Sequence, residues 1–146
     1  MRVFLPLVPH ELRADALPIR TAAIPAAEKD GVDRELAEYD ATIDASIQCL
    51  ELIREAAAGP YRRLVAAVDV KTARDTEEVA VTWDWVSAIL VDGDDAQNAV
   101  RHACEATTQE EADAAVATVL DHALEWFSTE ERLALADALL PRDGDF

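Results

Sequence analysis

The sequence is short of almost everything that advertises chemistry. It holds no Gly-rich phosphate loop, no nucleophile motif and no zinc knuckle. Catalysis needs at least a nucleophile with a base, or two positioned acids, and His10, His102 and His122 stand beside no recognisable serine or cysteine context. A non-enzymatic role without a cofactor is the expectation. No run approaches the roughly 18 apolar residues of a spanning helix, and the opening MRVFLPLVPHELR lacks the apolar stretch and small-residue cleavage site of a signal peptide. The two cysteines, Cys49 and Cys104, have no C-x-x-C spacing and lie among apolar neighbours in helix-like segments, so they read as small buried hydrophobes in a reducing compartment. A cytoplasmic protein without membrane contact is expected.

Positive charge is the other scarcity. Thirteen Lys and Arg face 30 Asp and Glu in 146 residues, a formal net charge of -17. A field of that sign repels nucleic-acid backbones and anionic membranes, and attracts basic proteins or cations. Direct nucleic-acid binding is therefore not expected. A hydrophobic fraction of 51% with clear periodicity separates the chain from acidic disordered tails, and its length suits one domain, placed over residues 1–140 with a short flexible tail at 141–146.

Along the chain, RVFLPLV (Arg2 to Val8) reads as a strand, broken by Pro6 and closed by Pro9, which suits an edge. HELRADA is a brief helix, and the run after Pro18, IRTAAI, a second short strand. The clearest helix runs from Asp33 to Ala58, where Leu36, Tyr39, Ile43, Ile47, Leu50 and Ile53 trace one stripe. Glu35, Glu38, Asp40, Asp44, Glu51 and Glu55 form its solvated acidic face. Gly59, in a left-handed conformation, and Pro60 are expected to end it. RRLVAAVDV (62–70) predicts a central strand and KTARDTEE a polar loop. Val79, Val81 and Trp83 suggest an extended arm, and SAILVDG (87–93) a further strand. The C-terminal third reads as helices opened by Asp94 with Gln97, Thr108 with Glu111, and Ser128 with Glu131. Leu133, Ala136, Leu139 and Leu140 are expected to pack inward from the last.

Two stretches share an H-A-x-E frame: HACE at 102–105 and HALE at 122–125. In HACE, His102 and Glu105 share the polar side of a helix, which suits a surface pair. HALE is open between helix and strand. On a strand, His122, Leu124 and Trp126 would point to one face and Ala123, Glu125 and Phe127 to the other. Carboxylate-bridged di-metal bundles place the Glu before the His, so the reversed order argues against a two-motif metal site.

DGDD, Asp92 to Asp95, follows a predicted strand and Asp69 ends another; carboxylates gathered at strand ends are where a divalent cation is commonly held. Asp94 as a helix cap and Asp92 with Gly93 as turn formers account for them without a metal. WDW, Trp83 to Trp85, could anchor a partner, since interface hot spots favour Trp. With 5% aromatics, core packing is the plainer role for these two, and for Trp126 and Phe127.

MRVFLP, DRELAEYDATIDASIQCLELI, ILVDGDDA and HALEWFSTEERLAL together resemble an uncharacterised family of small acidic cytoplasmic actinobacterial proteins, a domain of unknown function. The likeness covers nearly the whole chain. In such relatives the stretch like His122 to Phe127 reads as a strand leading into a helix. The resemblance implies an α/β-type domain and brings no catalytic residue.

The sequence thus predicts an α/β (α+β) domain: a small mixed sheet from the runs near residues 2, 20, 62, 87 and 122, packed by one long helix and several C-terminal helices. The expected function is interaction or regulation through a basic protein partner. The acidic helix face and Asp92, Asp94 and Asp95 would be the contact surface, with Trp83 and Trp85 as anchor. The alternatives are a divalent-metal-dependent enzyme of small phosphorylated substrates using Asp69, Asp92, Asp94 or the histidines, and a homo-oligomer with a structural role.

Overall fold

β-branched and leucine-rich runs supply the sheet. In a computed structural model, which describes residues 1–26, 33–57 and 59–140, Arg2–Leu7 (β1), Leu64–Asp69 (β2), Val86–Asp92 (β3) and Leu124–Phe127 (β4) form one four-stranded sheet in the order β1-β2-β3-β4. The α/β class is as expected, and every pairing in the sheet is antiparallel rather than mixed. Each connection carries the chain back to pair with the strand it has just left, which antiparallel ladders allow. The run near residue 20 is not a strand. It meets β1 at a single bridge, where Phe4 and Ala23 exchange N–H···O bonds of 2.9 and 2.7 Å. Pro6, two residues along, has no N–H to extend the ladder, and its carbonyl instead accepts from the Arg20 guanidinium at 2.8 Å.

Arg34–Ala56 forms α1, capped by the Asp33 carboxylate, which accepts the Glu35 N–H at 2.9 Å. Its buried face keeps the C-terminal end of the predicted stripe, Leu50 and Ile53, and departs from it over the preceding turns. Leu36 is 55% exposed and Tyr39 61%, while Ala37, Ala41, Ala45 and Cys49 are buried. Successive residues differ by about 100° around a helix, so a one-residue offset turns Leu36 and Tyr39 off the contact with the sheet. Ala41, Ala45 and Cys49 meet Phe4, Val65, Ala67 and Ala88 on one face of the sheet. Ala57, with φ 55°, makes the left-handed ending foreseen for Gly59, and its N–H donates to the Ile53 and Arg54 carbonyls.

The loop predicted over KTARDTEE contains one helical turn, Asp75–Glu78 (α2). The Asp75 carboxylate organises it, accepting the Lys71 and Thr72 N–H groups and the Thr72 hydroxyl. These bonds, the Thr72 N–H foremost, hold its carboxyl below the usual range. Val81 and Trp83 then pack on the other face of the sheet with Leu5, Leu12, Val68 and Ile89.

Gln97–Glu105 (α3) and Gln109–Leu120 (α4) pack Val100, Ala103 and Val119 against Leu50 and Ile53 of α1. Thr108 caps α4 as predicted, accepting the Glu111 N–H at 3.1 Å. Asp94 does not cap α3: a 3-10 turn over Asp94–Ala96 intervenes, and the Asp94 carboxylate pairs with Arg62. Ser128 caps another 3-10 turn, Thr129–Glu131, so the last helix (α5) is Arg132–Leu139. Ala136 is buried, and Leu139 and Leu140 pack against the core as expected, whereas Leu133 is 56% exposed and Leu135 is buried. The expected tail over 141–146 lies outside the described residues. No helix among the described residues is long and apolar enough to cross a membrane.

Candidate functional site

Strand polarity decides which predicted residues can meet. Asp69 ends β2 and Asp92 ends β3, and because these strands run antiparallel the two carboxylates lie at opposite ends of the sheet. Asp69 pairs with Arg2 at 3.0 Å. Asp69 therefore does not join Asp92 and Asp94 in the set that the metal alternative would use. Among the described residues, no three His, Cys, Asp or Glu side chains come together as a ligand set.

Asp92 is 1% exposed and belongs to a buried cluster with Arg63, also 1% exposed. The Arg63 Nε and Nη2 donate to the two Asp92 oxygens at 2.8 Å each, a bidentate geometry. The same carboxylate accepts the Arg63 backbone N–H at 2.8 Å. The guanidinium also donates to the Ser46 hydroxyl at 3.2 Å and the His122 carbonyl at 2.9 Å. One side chain therefore joins β2, β3, α1 and the chain leading into β4. Beside it lies a cleft of about 350 Å³ whose walls include Tyr39, Ile43, Ser46, Leu90, His122 and Leu124.

Asp94 and Asp95 lie at the surface, with side chains 85% and 84% exposed. Trp83 is 7% exposed, its indole N–H donates to the Ala14 carbonyl at 2.8 Å, and the Arg132 guanidinium sits 4.6 Å from its ring centre. Trp85 is 44% exposed. It precedes β3, whereas Asp94 and Asp95 follow it, so the anchor and the acids occupy opposite ends of the sheet.

HALE is extended. Glu125 stands opposite Val91 and Trp126 opposite Leu90, so His122 and Glu125 share no helix face. The His122 Nδ1 instead approaches Asp95 Oδ2 at 3.7 Å. His102 and Glu105 are exposed on α3. Trp126, expected in the core, is 66% exposed. It lies on β4, at the end of the strand order, with no further strand beside it among the described residues.

A family model matches residues 1–136. The chain belongs to DUF6912, a family of unknown function. No curated protein and no solved structure matches it. In this DUF6912 chain the geometry separates two kinds of polar group. The Arg63–Asp92 pair is saturated by its own protein, which suits holding elements in place. The carboxylates along α1 face outward, and those of the β3–α3 turn are exposed, with Asp94 paired to Arg62 and Asp95 near His122.

Sequence reasoning missed Arg63 and the exposure of Trp126. A charged residue opening an all-apolar strand, with an aspartate closing a neighbouring one, was the available signal for Arg63. Burial was inferred for Trp126 from aromatic scarcity, which says nothing of a strand's place in the sheet.

Proposed function

We propose that this chain is a non-enzymatic interaction or regulatory protein, working in the cytoplasm as one domain over residues 1–140, and that it binds a basic protein partner. The observation that carries the reading is the set of outward carboxylates along α1 and α4. Arg2, Arg13, Arg20, Arg62 and Arg63 are each engaged with a carboxylate of the chain itself. Glu35, Asp40, Asp44, Glu51 and Glu55 along α1, and Glu110 and Asp113 on α4, stay exposed. Each such pair is neutral, so the pairing leaves the net charge of -17 unchanged, and the exposed carboxylates of α1 and α4 set up a negative field outside. Of the surface expected from sequence, Asp94 and Asp95 remain in this reading, while Asp92 and Trp83 serve the interior.

Capture of the tagged protein's partners from nuclease-treated host lysate, eluted in rising salt, tests it. A basic protein released sharply as salt rises is the expected result, since exposed charges are screened within about 8 to 10 Å at physiological ionic strength. Recovery of no basic protein, or a complex indifferent to salt, overturns it.

A further inference from the structure

The two edges of the sheet are finished differently. Along β1, Phe4 is bonded to Ala23 and the Pro6 carbonyl to Arg20, so the segment after Pro18 covers that edge. Along β4, no covering segment pairs with the outer side among the described residues. The Asp92 N–H donates back toward β2, to the Arg63 carbonyl. Main-chain groups alternate in direction along an antiparallel strand, so Val91 and Ile89 turn theirs toward β4, where they meet Glu125 and Phe127. Leu124 and Trp126 therefore direct their N–H and C=O groups outward. An open row of this kind is a template for another strand. Natural edges are commonly blunted by shortness, charge, proline or a bulge; β4 is short, at four residues, and carries the charge of Glu125, but LEWF contains no lysine, proline or bulge.

We infer that the outer edge of β4 is the docking site for an extended basic segment of a partner protein, which adds beside β4 as a further strand. The inference rests on the basic-partner reading and says where and how such a partner binds. Main-chain bonds to Leu124 and Trp126 give the pairing, and the exposed Trp126 ring offers an apolar surface to alternate side chains. Charge complementarity selects the occupant. Asp121, Glu125, Glu130 and Glu131 are exposed in and beside the strand, and Asp95 joins them, since a side chain at Gly93 would meet oxygens of both Asp95 and Glu125 at 3.0 Å. A second copy is disfavoured by the same charges, because antiparallel pairing of β4 with β4 would set these carboxylates against themselves.

The test uses the full chain with a short capped peptide of alternating lysine and valine, the same peptide N-methylated at alternate residues, and a glutamate–valine control. Hydrogen exchange of individual amides and peptide affinity are read together. The expected result is slowed exchange at Leu124 and Trp126 with the lysine–valine peptide, and affinity lost by about tenfold or more on N-methylation. Trp126→Pro should lose affinity similarly while keeping the thermal midpoint, because proline is tolerated on an edge strand where its missing N–H faces solvent. Should that variant fail to fold, the methylated peptide still decides. Salt-sensitive binding that survives N-methylation and leaves the two amides unprotected overturns edge docking and leaves the basic-partner reading standing. Protection of those amides that grows with protein concentration alone makes the occupant a second copy and overturns the inference. No binding of the lysine–valine peptide at low salt overturns both.

Discussion

The guanidinium of Arg63 and the carboxylate of Asp92 face each other through paired 2.8 Å hydrogen bonds, with both side chains almost wholly buried. Removing one partner strands a desolvated charge, which costs about 3 to 5 kcal/mol. Arg63→Met and Asp92→Leu, each alone, are expected to lose that much in urea unfolding. Made together, they should cost less than the two losses added, because neither leaves a bare ion behind. Additive losses would mean that the pair is not coupled.

Burial pushes the Cys49 thiol up from near 9 to about 11. The folded state then keeps its proton at pH values where the unfolded chain has released it. Stability from this group is fully present below pH 9 and is lost as pH rises from about 9 to about 11. Unfolding measured across that range should show a decline that Cys49→Ser, which does not titrate there, makes shallower. Parallel slopes for the two proteins would refute this.

Ala57 holds φ 55° at the end of α1. A left-handed residue with a Cβ costs about 1 to 2 kcal/mol, partly offset for glycine by the greater freedom it has when unfolded, about 0.4 to 1 kcal/mol. Ala57→Gly is therefore expected to stabilise the protein by about 0.5 to 1 kcal/mol. Thermal unfolding of the variant beside the parent checks both sign and size.

Trp126 at 66% exposure and Trp85 at 44% should dominate quenching by solutes, with Trp83 at 7% contributing little. In a negative field, caesium should quench fluorescence more strongly than iodide at low salt. The difference should shrink near 1 M salt, where the screening length is about 3 Å. Trp126→Phe should remove the larger share of the quenchable emission. Equal quenching by both ions at low salt would argue against a negative surface around these rings.

Strand and helix periods made much of this fold legible. The runs near residues 2, 62 and 87, the long helix starting at Asp33, and the Thr108 cap all follow from local chemistry that acts within a few residues. The extended form of HALE followed from the resemblance, since periodicity left it open. The rest depends on contacts far apart in the chain. Which face of α1 turns inward is set by a sheet that prefers alanine to leucine at that contact, and a ranking by hydrophobicity points to Leu36 and Tyr39 instead. The partnership of Arg63 with Asp92 needs strands paired across 29 positions. Trp126 lies outside because β4 is last in the sheet order, a fact of topology that composition does not carry.

The face of α1 built from Ala37, Ala41, Ala45 and Cys49 is nearly smooth. Methyl groups hold a helix at a short, constant distance from a sheet, yet they offer few ridges to stop it from sliding along its own axis. Registration then falls to the polar contacts along this seam: the Ser46 hydroxyl with Arg63, and the Cys49 thiol donating to the Leu64 carbonyl at 2.9 Å. They act as locating pins. With both removed, in Ser46→Ala with Cys49→Ala, α1 should stay helical by circular dichroism while the methyl resonances of Ala41 and Ala45 broaden or double. Single sharp resonances would show that the seam fixes its own alignment.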